Sequence, residues 1–171
     1  FWDHYWKNGE NDKLGWRLEY NMKHRGDVYA THGLGPVAQA LDIHRGDRMK
    51  TLVAMDTKSV VGKSLVEERT GQPCENFRNG DHTTTLIRTE NGKVIEIQHD
   101  VMTPQPYNRL YQLTGTKGFA NKYPIEGYAL DAKQLNASGV VPEVDNLNSH
   151  SFMPKKDMEA LVQKYQHPIL K

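Results

Sequence analysis

The run from His82 to Val101, HTTTLIRTENGKVIEIQHDV, constrains the fold more than any other part of this chain. Two stretches rich in β-branched residues flank Asn91-Gly92, which reads as a two-residue type I′ hairpin. In that register Leu86 faces Ile97 and Arg88 faces Ile95, while Ile87 faces Glu96 on the opposite side. One face is the more apolar, as in an antiparallel sheet with one wetter side. The wetter face bears Thr85, Ile87, Thr89 and Val94. Exposed β-branched residues form a sticky patch, so this sheet is expected to carry a homo-oligomer contact.

The surrounding elements are read from periodicity and punctuation. Met49–Asp56 predicts a short buried strand, and Thr57–Glu68 a helix with Val60, Val61, Leu65 and Val66 on one side, stopped by Thr70-Gly71-Gln72-Pro73. Pro104 and Pro106 mark an extended crossing segment. Strands follow at Arg109–Leu113 and Phe119–Tyr123, joined by a turn at Gly115–Gly118, with a short edge strand at Glu126–Asp131. Asn136–Ser151 reads as loop, and Pro154–Tyr165 as a helix with Met158, Leu161, Val162 and Tyr165 on one stripe. At the start, Phe1, Trp2, Tyr5 and Trp6 read as a packed helix face rather than a ligand platform. His-Arg-Gly-Asp occurs at His24 and again at His44, as two turns and not a repeat. Strands in meander order between helices predict an α+β fold. It has a mostly antiparallel open sheet with helices packed on one face, in a single domain over residues 1–171.

Composition removes several functions. The 171 residues carry 22 basic and 21 acidic side chains, a formal net charge of +1, so no nucleic-acid or membrane-surface field arises. Apolar runs are too short for a membrane-spanning helix. The single cysteine, Cys74, excludes an internal disulfide framework and reads as a plain loop residue after Pro73. Eight histidines are scattered without paired metal-ligand spacing, so no metal site is expected. No acidic pair or serine stands in a glycosidase or Ser-His-Asp context.

The chemistry that remains lies between Trp16 and Leu41, WRLEYNMKHRGDVYATHGLGPVAQAL. Pro36 predicts the first turn of a helix and Gly46 its stop, which places Tyr29 and His32 at the end of an extended segment near a helix N-terminus. Gly33-Leu-Gly35-Pro-Val-Ala38 formally matches a dinucleotide fingerprint, and Asp56 follows at the spacing of a ribose-binding acid. The preceding residues are too polar for a buried strand, and Pro36 removes one N–H, so a loop-to-helix junction without phosphate is the better reading. Arg17, Tyr29 and His32 offer a cation, a phenol and an imidazole. Such groups suit proton transfer or structural capping of the loop, and the chemistry alone leaves both open.

The runs WRLEYN, RGDVYATHGLGPVAQALDIHRGDRM and TPQPYNRLYQLTGTKGFANKYP closely resemble the NAD-dependent α-N-acetylgalactosaminidases. These form glycoside hydrolase family 109, within the Gfo/Idh/MocA oxidoreductase superfamily. The resemblance covers nearly the whole chain. It implies a sheet domain preceded by a Rossmann domain that this sequence lacks and followed by further chain. The piece alone is then expected to be inactive. Arg17, Tyr29 and His32 match substrate-binding and catalytic positions; Tyr107 and Arg109 are candidates to line the same pocket. The implied cofactor is NAD, held mainly by the missing domain, and the implied partner is an N-acetylgalactosamine-containing glycan.

The resemblance also implies a mechanism without a carboxylate pair. Reversible oxidation at C3 of the sugar acidifies the C2 proton, whose loss expels the glycosidic oxygen before water adds. On this reading Tyr29 and His32 handle protons and Arg17 holds substrate oxygens. A sugar dehydrogenase of the same superfamily, or a non-catalytic sugar-binding or dimerisation module, are the alternatives. Family members are commonly exported in bacteria, which makes the periplasm the expected compartment by resemblance.

Overall fold

The computed structural model describes residues 15–139 and 151–170, divided into two compact units that meet in sequence between Gln105 and Pro106. The expected aromatic helix at Phe1–Trp6 and most of the expected loop at 136–151 lie outside the described residues.

The first unit contains α1 (Trp16–Lys23), α2 (Ala30–Ala40), β1 (Met49–Asp56), α3 (Val61–Thr70), β2 (His82–Thr89) and β3 (Val94–Asp100). Its strands form an antiparallel sheet in the order β1-β2-β3. The hairpin exists, but one residue out of the predicted register: Leu86 pairs with Glu96, Ile87 with Ile95 and Arg88 with Val94. Three residues, Glu90-Asn91-Gly92, make the loop, closed by Thr89 N–H to the Lys93 carbonyl at 2.9 Å. A type I′ turn needs positive φ at both central residues, and here only Gly92 (φ 83°) has it. Asn91 is engaged elsewhere. Its backbone N–H donates to Asp47 Oδ1 (3.1 Å) and its side-chain amide to the Gly46 carbonyl (2.9 Å).

The slip reassigns the faces, since side chains alternate with period two. Ile87, Ile95, Thr83, Thr89 and His99 are all buried on one face, and α2 packs against β3. Leu86 and Val94 are exposed on the other. The predicted wetter face therefore divides: Ile87 and Thr89 are core, and of that set only Val94 looks outward. The expectation of a buried β1 is also corrected. It is an edge strand whose Leu52, Val53 and Met55 are 61, 58 and 77% exposed.

The core of this unit lies beside the sheet, where Leu18 of α1 and Val66 of α3 meet Cys74, Phe77 and Met102. Leu18 is 1% exposed, a burial contributing about 1.5–3 kcal/mol. Cys74 is a loop residue, as expected, although a buried one. Helix α3 starts later than predicted because of a distant carboxylate. Asp81 accepts the N–H groups of Val60 (2.8 Å), Val61 (2.9 Å) and Gly62 (3.0 Å), which the first turn leaves unpaired.

The second unit contains β4 (Tyr111–Gly115), β5 (Gly118–Lys122), β6 (Gly127–Leu130), α4 (Ala132–Ser138), α5 (Lys155–Tyr165) and a 3-10 turn at Pro168–Leu170. The strands form an antiparallel sheet in the order β4-β5-β6, with β6 at the edge as predicted. Helix α4 was not expected; Asp131 caps it by accepting the Gln134 N–H at 2.9 Å. Leu135, Met153 and Leu161 form this unit's core, with Tyr128, Leu130 and Met158 against it. Val162 and Tyr165, read as core from their spacing, are exposed. The fold is α+β with antiparallel sheets and helices, its strands shared between two small sheets rather than one.

Candidate active site

Helix α1 carries the first side chain of the site. Leu18, Asn21 and Met22 recur at helical spacing, and Glu19 pairs with Lys23 one turn on. The helix C-terminus is held by a loop rather than by water: Arg78 N–H reaches the Met22 carbonyl (3.2 Å) and Asn79 N–H that of Asn21 (3.0 Å). The Asn79 side chain donates to the Asn21 side chain and to the Gly26 carbonyl (3.1 Å), and accepts the Gly26 N–H (2.8 Å). Gly80 lets this loop also pass close against the end of β1. A Cβ there would stand 2.4 Å from the Thr57 carbonyl oxygen.

From Gly26 the chain enters α2. The helix begins at Ala30, six residues earlier than Pro36 suggested, so His32 lies in its first turn and Tyr29 is the N-cap residue. Gly33, Gly35 and Pro36 are poor helix formers, with Pro36 alone costing about 3 kcal/mol in an interior position. Packing overrides them. Ala30, Leu34, Val37, Ala38 and Leu41 are half-buried at helical spacing, while His32, Gly33, Gly35 and Pro36 are exposed. The dinucleotide-like glycines therefore sit inside a helix. No strand-turn-helix cradle exists there, and Asp56 is ion-paired to Arg25.

The fold brings Arg17, Tyr29 and His32 together. The Arg17 guanidinium carbon lies 4.6 Å from the Trp16 ring and 5.5 Å from the Tyr29 ring. Tyr29 and His32 meet edge to face with ring centroids 5.5 Å apart. Arg17 Nε is buried without a hydrogen-bond partner among the described residues. A buried N–H donor without an acceptor is rare. On the exposed side of α2, a Cβ at Gly33 or Gly35 would meet none of the described residues within 4 Å. The described residues leave the flank beside His32 uncovered.

Two further residues stand behind this group. Asp27 Oδ1 accepts the Tyr29 N–H at 2.6 Å and lies 3.6 Å from His99 Nε2 of β3. Burial pushes the Asp27 carboxyl above the ordinary carboxylate range, against the attraction of His99 and His32. Burial pushes His99 below the usual histidine range, against Asp27 and Asp100. Trp16, Asp27 and His99 were not singled out from sequence. The spacing Asp27-x-Tyr29 is an Asx-turn signal, and alternation places His99 on the same face of β3 as Ile95 and Ile97, the side read as the more apolar.

Tyr107 and Arg109 belong to the second unit and form their own cluster. The Arg109 guanidinium carbon lies 5.4 Å from the Tyr107 ring, Tyr107 and Tyr123 meet edge to face at 6.1 Å, and Tyr123 Oη donates to the Tyr107 carbonyl at 2.9 Å. A shallow depression lined by Glu67, Gly71, Gln72 and Pro73 shares no residue with either cluster. Among the described residues no group of three or more His, Cys, Asp or Glu could hold a metal ion, and no helix is long and apolar enough to cross a membrane.

Residues 4–171 match the family model described as glycosyl hydrolase 109, C-terminal domain. A relative named glycosyl hydrolase family 109 protein 5, from Phocaeicola vulgatus, is 84% identical over the whole chain, which covers 33% of that relative. Glycosyl hydrolase family 109 protein 3 of the same organism is 61% identical over 99% of the chain and 31% of its own length. A Porphyromonas gingivalis protein of that family is 56% identical over 99% of the chain and 34% of its own length. The chain thus spans about a third of the relatives it matches. It belongs to glycosyl hydrolase family 109 and corresponds to that family's C-terminal domain.

Proposed function

We propose that the complete protein releases terminal N-acetylgalactosamine from glycans by NAD-dependent elimination and hydration, and that this chain supplies its substrate side. The observation that carries the reading is the convergence of Arg17, Tyr29 and His32 at the start of α2, with one buried Arg donor unpaired among the described residues. When bound, NAD supplies reversible hydride exchange with a sugar carbon. The described residues do not fit its pyrophosphate, because Gly33 and Gly35 lie within α2, so the cofactor is assigned to the rest of the protein.

The chain's own groups then hold substrate and move protons. Arg17 Nε donates to a hydroxyl or acetamido oxygen. Tyr29 and His32 act at the C2 hydrogen and at the leaving glycosidic oxygen. Asp27 is engaged by the Tyr29 amide and His99, and a redox-assisted route needs no second carboxylate. Tyr107 and Arg109, which pair with each other in the second unit, remain candidate substrate contacts.

In the complete protein, Tyr29→Phe and His32→Ala should each lower kcat on an aryl N-acetylgalactosaminide by at least about 100-fold. Wild-type rates in both would end the assignment. This chain by itself should not bind NAD, and micromolar affinity in calorimetry would contradict that. A homo-oligomer remains part of the reading, now through the outer sheet face of Val53, Met55, Leu86 and Val94. A monomer in light scattering of the complete protein at high concentration would remove it.

A further inference from the structure

We propose that half-buried Asp27 and buried His99 form a pair that positions the Tyr29–His32 mouth, with Asp27 as the positioning residue and His99 setting its charge. The inference rests on the function proposed above, but the pair itself is read from geometry. Asp27 Oδ1 does two things at once. It accepts the Tyr29 N–H at 2.6 Å, which fixes the residue that starts α2, and it stands 3.6 Å from His99 Nε2. His99 is 7% exposed, and its Nε2 has no hydrogen-bond partner among the described residues. A buried imidazole nitrogen facing a carboxylate at that separation lacks only a small closure to share a proton with it.

The groups around the pair come from three elements. The charge of His32 of α2 acts on Asp27, while Asp100 of β3 and His82 of β2, paired on the opposite face of the sheet, act on His99 through their charges. Asp100 is itself held by the Met102 and Thr103 amides and by the Thr103 hydroxyl at 2.7 Å, and pairs with His82 at 3.4 Å. It is therefore committed to ending β3, which leaves Asp27 as the carboxylate that joins β3 to α2. Burial favours the uncharged form of each partner. One proton passing between Asp27 and His99 then changes the charge that His32 faces. Because Asp27 also holds the Tyr29 amide, the same event is tied to the helix entry that carries both proposed proton-transfer groups.

The test uses Asp27→Asn and His99→Gln in the complete protein. Asn keeps an oxygen for the Tyr29 N–H, so the helix entry survives while the charge is removed. Two readouts are needed: the His99 side-chain titration followed by nitrogen-resolved NMR, and kcat and KM against pH on an aryl N-acetylgalactosaminide. In Asp27→Asn, His99 should titrate at lower pH than in wild type, since of the two charges that draw it upward, Asp27 and Asp100, that of Asp27 is the larger influence. Both variants should lose about tenfold or more in kcat, with KM changed far less and the acid limb of the kcat profile displaced. A His99 titration unmoved by Asp27→Asn would overturn the pairing. A moved titration with wild-type kcat and pH profile would overturn the positioning role. Were the wild-type protein inactive on this substrate, the proposed reaction would fail, and the titration would still decide the pair.

Discussion

The side chain of Asn79 donates to the side chain of Asn21, and the two residues are 1% and 0% exposed. Through this contact the loop before β2 holds both the end of α1 and the Gly26 turn that leads into α2. The spatial relation between Arg17 and Tyr29 therefore depends on a buried amide pair.

Asn79→Ala should cost about 1–3 kcal/mol, because it leaves the Asn21 oxygen and the Gly26 backbone groups without their partner. Urea denaturation of the chain measures this. The loss should be accompanied by lower activity in the complete protein, since the approach to Tyr29 loosens. An unchanged midpoint would mean that the loop is held by other contacts.

Asp47 gives the sheet a pH dependence of defined sign. Burial alone would raise its pKa, but the Asn91 amide, the Thr89 hydroxyl, the Arg48 amide and Lys93 outweigh it and hold the carboxyl at about 2. Its folded value lies below the ordinary 3.8. The stabilisation is therefore present above about pH 4 and lost as pH falls through about 2. Asp47→Asn should lower the midpoint at neutral pH and flatten its fall between about pH 4 and 2. A variant with the same acid profile as wild type would contradict this.

Gly33 separates stability from function. It lies in an exposed part of α2, and none of the described residues stands within 4 Å of where its Cβ would be. Gly33→Ala should raise stability by about 0.5–1 kcal/mol. If substrate approaches along the open flank beside His32, the same methyl should lower kcat/KM by about tenfold. A variant more stable and fully active would show that substrate comes from another side.

What was legible in the chain follows from where local and tertiary forces agree. The strands and α5 were visible because β-branched runs, turn glycines and a helical stripe pointed the same way as the packing. The convergence of Arg17, Tyr29 and His32 was expected through family likeness, and the geometry brings these side chains together. The hairpin register was misread because Asn91 is recruited by Asp47 and Gly46, residues 44 and 45 positions earlier. The start of α2 was misread because proline and glycine signals are weak against the packing of half-buried Leu34 and Val37. Asp27 and His99 were missed because their meeting is tertiary: alternation puts His99 on the apolar face with Ile95, but nothing local says that the turn before α2 covers it.

The central claim, that proton handling at Tyr29 and His32 serves elimination rather than displacement, is tested most directly by hydrolysis in D₂O. The complete protein is given an N-acetylgalactosaminide, and the released sugar is examined by NMR at C2. Removal of the C2 proton by a base of this cluster predicts deuterium at that carbon in the product. Product that retains its C2 hydrogen throughout turnover would contradict the account.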